Sequence, residues 1–168
     1  MRAVVAAVAL TATTLAGGCG YSLRGNLPEH LRTVAVPVFQ NRTPVPAVEN
    51  FLTSAVVNAF ATNGRLRVTG LDQADSILEG DIVGYSLQSI AFDAAANVRQ
   101  YRLVVTLNLR FRDVRRNDVL FQRNGYSDRA DFAVPGTVAE TIAATETALR
   151  QAASEIARSI VSFTVERF

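Results

Sequence analysis

The chain has 168 residues, with 17 basic and 15 acidic side chains, one histidine, one cysteine and no tryptophan. A net charge of +2 excludes a general nucleic-acid footprint, a single thiol excludes an internal disulfide, and no Cys/His cluster is present to hold zinc. All 17 basic residues are arginine, whose guanidinium binds phosphate or carboxylate through two parallel hydrogen bonds, which an ammonium group cannot do.

In chain order, Met1-Arg2 supplies one positive charge, Ala3 to Leu15 is uncharged, and Leu15-Ala16-Gly17-Gly18 leads into Cys19. A short apolar run ending in small residues is a secretory signal peptide, and it falls short of the roughly 20 apolar residues that a span requires. A signal that stops directly before the only cysteine predicts lipoprotein processing, with residues 1–18 removed and palmitate attached at Cys19. Ala16 stands where such signals usually carry leucine, and Leu15 lies one position further back. Gly20, rather than aspartate, follows the cysteine and favours export to the outer membrane. Removing 18 of 168 residues leaves 150, enough for one domain with a sizeable core.

Residues 19–32 contain Gly25, Asn26 and Pro28 and read as an extended lead; residues 33–168 read as a single domain. Thr33 to Phe39 is a first strand, with Pro37 marking an edge or an end. Thr43 can cap a helix whose first position is Pro44. Val48, Phe51, Leu52, Ala55, Val56, Ala59 and Phe60 then recur at helical spacing, and Asn63-Gly64 closes the helix. Arg65 to Thr69 is a short strand, and Ile77 to Gln88 a longer one broken by Gly80 and Gly84. Tyr101 to Arg112 alternates strictly: Leu103, Val105, Leu107, Leu109 and Phe111 take one face, and Arg102, Thr106, Asn108 and Arg110 stand among those on the other. That pattern is a sheet buried on one side only. Arg115 to Asp118 is a turn and Val119 to Arg129 the returning strand. Pro135-Gly136-Thr137 opens a long helix to about Val165, with an apolar stripe of Ile142, Leu149, Ala153, Ile156, Ile160 and Phe163. The expected architecture is α+β, with two helices packed on one face of a mixed, mainly antiparallel sheet of four to five strands.

Nothing in the chain predicts an enzyme. His30 stands alone in the lead, the close carboxylates Asp72 and Asp75, or Glu79 and Asp81, flank strands, and neither a P-loop nor a nucleophile elbow is present. A hydrolase built on Asp75 or Asp81 would need two converging carboxylates with perturbed pKa. No metal or cofactor is called for. The arginines are more informative, because alternate turns of an antiparallel meander fall at opposite ends of the sheet. Arg99, Arg102 and Arg129 gather at one end, and Arg112, Arg115 and Arg116 at the other. Either group could hold a phosphate.

Four segments taken together resemble the lipopolysaccharide-assembly lipoprotein family LptE: Cys19 to Gly25, Thr33 to Thr43, Ala74 to Gly80, and Asn97 to Leu103. The resemblance spans nearly the whole mature chain. It implies a small α+β plug seated in the outer-membrane barrel LptD, lipid-anchored, facing the periplasm, and assisting lipopolysaccharide assembly. It further implies lipopolysaccharide contacts at Arg99 and, more loosely, Arg129, in agreement with the end of the sheet reached by strand geometry. The stretch from Val34 to Thr43 is also similar to lipoproteins of curli secretion and of penicillin-binding-protein activation, which would make the chain a pore subunit or an enzyme activator.

Overall fold

The computed structural model describes residues 27–134 and 138–165. The proposed signal peptide, Cys19 and the Pro135-Gly136-Thr137 opening lie outside those residues. Strand β1 is Thr33–Ala35, β2 is Gln40–Asn41, α1 is Val48–Asn63, β3 is Arg67–Val68, β4 is Ser76–Phe92, β5 is Val98–Asp113, β6 is Asp118–Ala133 and α2 is Val138–Val165. The six strands form one sheet in the order β3-β1-β4-β5-β6, with β2 also pairing β4. Strands β1 and β2 run parallel to β4, and β4, β5 and β6 form an antiparallel meander. This is the expected two-helix, mainly antiparallel α+β architecture. The strand count rises to six because the first strand breaks around Pro37 into β1 and β2.

The strict alternation of β5 decides the layering. Leu103, Val105, Leu107, Leu109 and Phe111 are each at most 1% exposed, and both helices cover that face. From α1, Val48, Leu52, Val56 and Phe60 are fully buried; from α2, Ile156, Ala157 and Ile160 join the same core. The helix α1 starts later than its Thr43-Pro44 signal, because Asn41 organises those residues as a turn. Its carboxamide oxygen accepts from the Thr43 N–H and hydroxyl, at 2.9 and 2.8 Å, and its amide nitrogen donates to Val45 O and Glu49 Oε2. The C-terminal signal is as expected: Gly64 has φ 72° and its N–H bonds Phe60 O at 3.0 Å.

Two further expectations change. Gly80 does not break β4, which runs unbroken from Ser76 to Phe92; the missing side chain makes room for the Phe39 ring. Ile142 is 65% exposed rather than part of the buried stripe. Both helices end side by side, since Arg65 Nη1 donates to Val165 O at 3.1 Å. Helix α2 has 28 residues and α1 has 16, so at 1.5 Å per residue the first turns of α2 extend about 18 Å past the start of α1. Ile142 lies on that overhang, where no second helix covers it.

The sheet end that carries the start of β1 is tied by two carboxylates. Asp75 Oδ2 accepts from the N–H groups of Arg32 and Thr33, both at 3.1 Å, and from the Thr33 hydroxyl at 2.8 Å, while Arg115 pairs with Asp75 Oδ1 at 2.8 Å. Asp113 accepts from the N–H groups of Arg115 and Arg116 at its Oδ1, and His30 meets its Oδ2 at 2.5 Å. Burial alone would raise both carboxyl pKa values; the hydrogen bonds, together with Arg115 at Asp75 and His30 at Asp113, outweigh it and hold both below the usual 3.8. A group held lower when folded stabilises the protein above its unfolded value and loses that contribution as pH falls through the folded one. Thermal stability is therefore expected to be flat above about pH 5 and to fall steeply below pH 4. Asp113→Asn is expected to be less stable near pH 7 and to show a shallower acid limb; an unchanged limb in melting curves from pH 2 to 7 would reject the assignment.

Candidate functional site

The uncovered face of the sheet is polar. Along it stand Gln88 of β4, Arg102, Thr106, Asn108 and Arg110 of β5, and Ser127, Arg129 and Asp131 of β6, positioned by the pairings Gln88↔Arg102, Thr106↔Ser127, Val104↔Arg129 and Arg102↔Asp131. Thr106 Oγ1 and Ser127 Oγ are bonded at 2.8 Å. Near the β4–β5 turn, Gln88, Arg102, Val104, Ser127, Asp128 and Arg129 line a shallow hollow of about 390 Å³.

The three arginines expected at this end are all there, in three different states. Arg102 is held in a two-pronged pair: Nε to Asp131 Oδ1 and Nη2 to Asp131 Oδ2, each 2.7 Å. That pair raises the Arg102 pKa and lowers that of Asp131, with Arg129 adding a smaller electrostatic pull on Asp131. Arg129 lies next to this pair, and its guanidinium forms no ion pair with a described residue. Arg99 is not matched across β4, since β4 steps from Ala91 to Phe92 while β5 steps from Gln100 to Val98. Its guanidinium reaches Asp93 at 3.0 Å. Asp93 is also held low, first by hydrogen bonds from Asn97, and then by the Ala95 N–H and by Arg99. So Arg102 and Arg129 share one hollow, and Arg99 sits beyond it at the turn.

The arginines at the opposite end are partly engaged. Arg112 pairs with Glu79 at 3.5 Å and Arg115 with Asp75. The carboxylates considered for hydrolysis are occupied too: Asp75 ties the strand ends, and Asp81 pairs with Arg42 at 3.3 Å. His30, read from sequence as a lone exposed side chain, is instead bonded to the buried Asp113. Sequence reasoning missed the pairing roles of Asp131, Asp93 and His30: strand register brings Asp131 to Arg102, the β4–β5 turn itself brings Asn97 and Arg99 to Asp93, and chain folding brings His30 to Asp113.

This geometry can be set beside known proteins. The lipopolysaccharide-assembly family LptE matches residues 31–164. The chain belongs to that family. No curated protein sequence matches it. Among solved structures, it is similar to a Xanthomonas campestris protein at 16% identity and a TM-score of 0.56, over 83% of this chain and 88% of that one. It is also similar to the rare lipoprotein B of Shewanella oneidensis, at 15% identity and a TM-score of 0.50, over 77% and 92%. PelC of Paraburkholderia phytofirmans, a dodecamer, shares 16% identity at a TM-score of 0.55 over 86% and 95%. At these identities the likeness is one of fold, and the LptE fold is the one that the chain adopts. None of the described helices of this LptE-family chain is long and apolar enough to cross a membrane.

Proposed function

We propose that this LptE-family chain is a non-catalytic outer-membrane lipoprotein, anchored at Cys19, that plugs the LptD barrel and assists lipopolysaccharide assembly while touching lipopolysaccharide through Arg99, Arg102 and Arg129. The observation that carries the reading is the hollow that Arg102 and Arg129 share, with Arg99 beyond it at the β4–β5 turn of the same end. That end presents guanidinium groups for lipid A phosphates on the open side, where charge-assisted, two-pronged pairing is strongest. The helix-facing side of the same end exposes apolar groups for acyl chains: Leu87 (42%), Phe92 (60%) and, on the α2 overhang, Ile142 (65%). The remaining open face, with its amides, hydroxyls and exposed ion pairs, suits the polar lumen of an outer-membrane barrel.

Two experiments test the reading. Cys19→Ala is expected to fold with an unchanged melting temperature yet take up no labelled palmitate; label still incorporated would rule out Cys19 as the attachment point. Affinity purification of the lipidated protein from solubilised outer membranes is expected to retain a large barrel protein at near-equal abundance. A second reading draws on the fold shared with dodecameric PelC, and on the likeness of Val34 to Thr43 to curli-secretion and penicillin-binding-protein-activating lipoproteins. Recovery of a ring of this chain, or of a peptidoglycan synthase, with no barrel present would establish that alternative in its place.

A further inference from the structure

Two of the three arginines of the proposed lipopolysaccharide site already hold a carboxylate, Arg99 that of Asp93 and Arg102 that of Asp131. Arg102 commits its Nε/Nη2 edge, the side-on fork that matches a phosphate or carboxylate, to Asp131 at 2.7 Å, and Arg129 feels the same carboxylate. A ligand phosphate can take this Nε/Nη2 edge of Arg102 only by displacing Asp131. The pair is open to solvent, with side-chain exposures of 32% for Arg102 and 44% for Asp131, so the exchange needs no unfolding. We propose that Asp131 is a built-in counter-ligand: it occupies Arg102 when the site is empty, is displaced by the phosphate of a lipid A headgroup, and re-forms its pair as the lipid leaves. This rests on the lipopolysaccharide reading above and deepens it. Asp131 weakens the hold and shortens it, which suits a protein that passes its ligand onward rather than storing it. Affinity differences within one site fall mostly on the dissociation rate.

The measurement is a surface-immobilised binding assay of the lipidated chain with purified lipopolysaccharide at physiological salt. Asp131→Asn keeps the shape and loses the charge. It is expected to bind more tightly by up to about fivefold, the upper end of what an exposed ion pair contributes, with the gain in slower dissociation. Asp118→Asn removes the same charge from the other end of β6. That is 13 residues away along the strand, roughly 43 Å at 3.3 Å per residue and far beyond the screening length of about 8 Å, so its binding should be unchanged. Combining Asp131→Asn with Arg102→Gln should abolish the gain, because no guanidinium is then released. If Asp131→Asn binds no better than Asp118→Asn, or keeps its gain without Arg102, the counter-ligand role is overturned while the site reading stands. If the wild-type chain does not bind lipopolysaccharide at all, both fall together. Asp131→Ser, equally uncharged and smaller, repeats the test should the asparagine side chain itself hold Arg102.

Discussion

Phe39→Ala is expected to cost about 3–5 kcal/mol of folding stability, the usual range for truncating a buried phenylalanine. Phe39 is 2% exposed and sits just before β2, where the first strand breaks. Its ring fills the space over Gly80: a Cβ built on that glycine would lie 2.7 Å from ring atoms of Phe39. Its own N–H is satisfied by Thr53 Oγ1 at 3.0 Å, so the contact also pins α1 to the sheet. Gly80→Val should therefore destabilise too, by about 1–3 kcal/mol, because the ring must give way in a filled core. The two losses should not add. With the ring gone the valine has room, and the double variant should be less destabilised than the sum by about 0.5–3 kcal/mol. Urea denaturation of the two single variants and the double variant measures this; strict additivity would show that the ring and Gly80 do not share the space.

Arg99→Glu combined with Arg129→Glu is expected to lower affinity for lipopolysaccharide by at least about tenfold, since each charge-assisted hydrogen bond contributes about 1.5–3 kcal/mol and 1.4 kcal/mol is a factor of ten. The melting temperature should barely move. Arg129 makes no ion pair with a described residue, and the Arg99–Asp93 pair is exposed, a class of contact worth about 0–1 kcal/mol. Reversal at Arg99 also sets a carboxylate against Asp93, and at Arg129 against Asp131, so both substitutions repel an incoming phosphate. Titration with purified lipopolysaccharide checks the result. Unchanged binding with an intact melt would remove these arginines from the site and leave the fold and the family membership untouched.

Much of this was legible in the chain itself. The strict alternation of Leu103 through Phe111 determined a sheet with one buried and one polar face, because a period of two maps directly onto the two sides of a strand. The spacing of Val48, Leu52, Val56 and Phe60 determined which side of α1 would be covered, and Asn63-Gly64 where it would stop. The placing of Arg99, Arg102 and Arg129 at one end followed from the order of turns alone. Local signals were weaker wherever a side chain had a competing partner. Thr43 reads as a cap, yet Asn41 takes it into a turn; Gly80 reads as a break, yet it is the floor beneath Phe39.

What only the tertiary structure decided is register and overhang. Straight pairing continued from Asp113↔Asp118 would set Arg129 opposite Arg102, like charge against like. Two irregularities between β5 and β6, at Phe111/Arg112 and Leu107/Leu109, shift the ladder by two residues and bring Asp131 there instead. The extra residue at each irregularity lies in β6, so the alternation of β5 that revealed the sheet carries no trace of the shift. In the same way, the apolar stripe of α2 includes Ile142 by spacing, but the length of α1 decides that no second described helix lies beside it. Periodicity is a property of each segment and is written in its own residues. Which carboxylate meets which guanidinium depends on bulges and helix ends summed over the whole chain, and that sum exists only in the folded molecule.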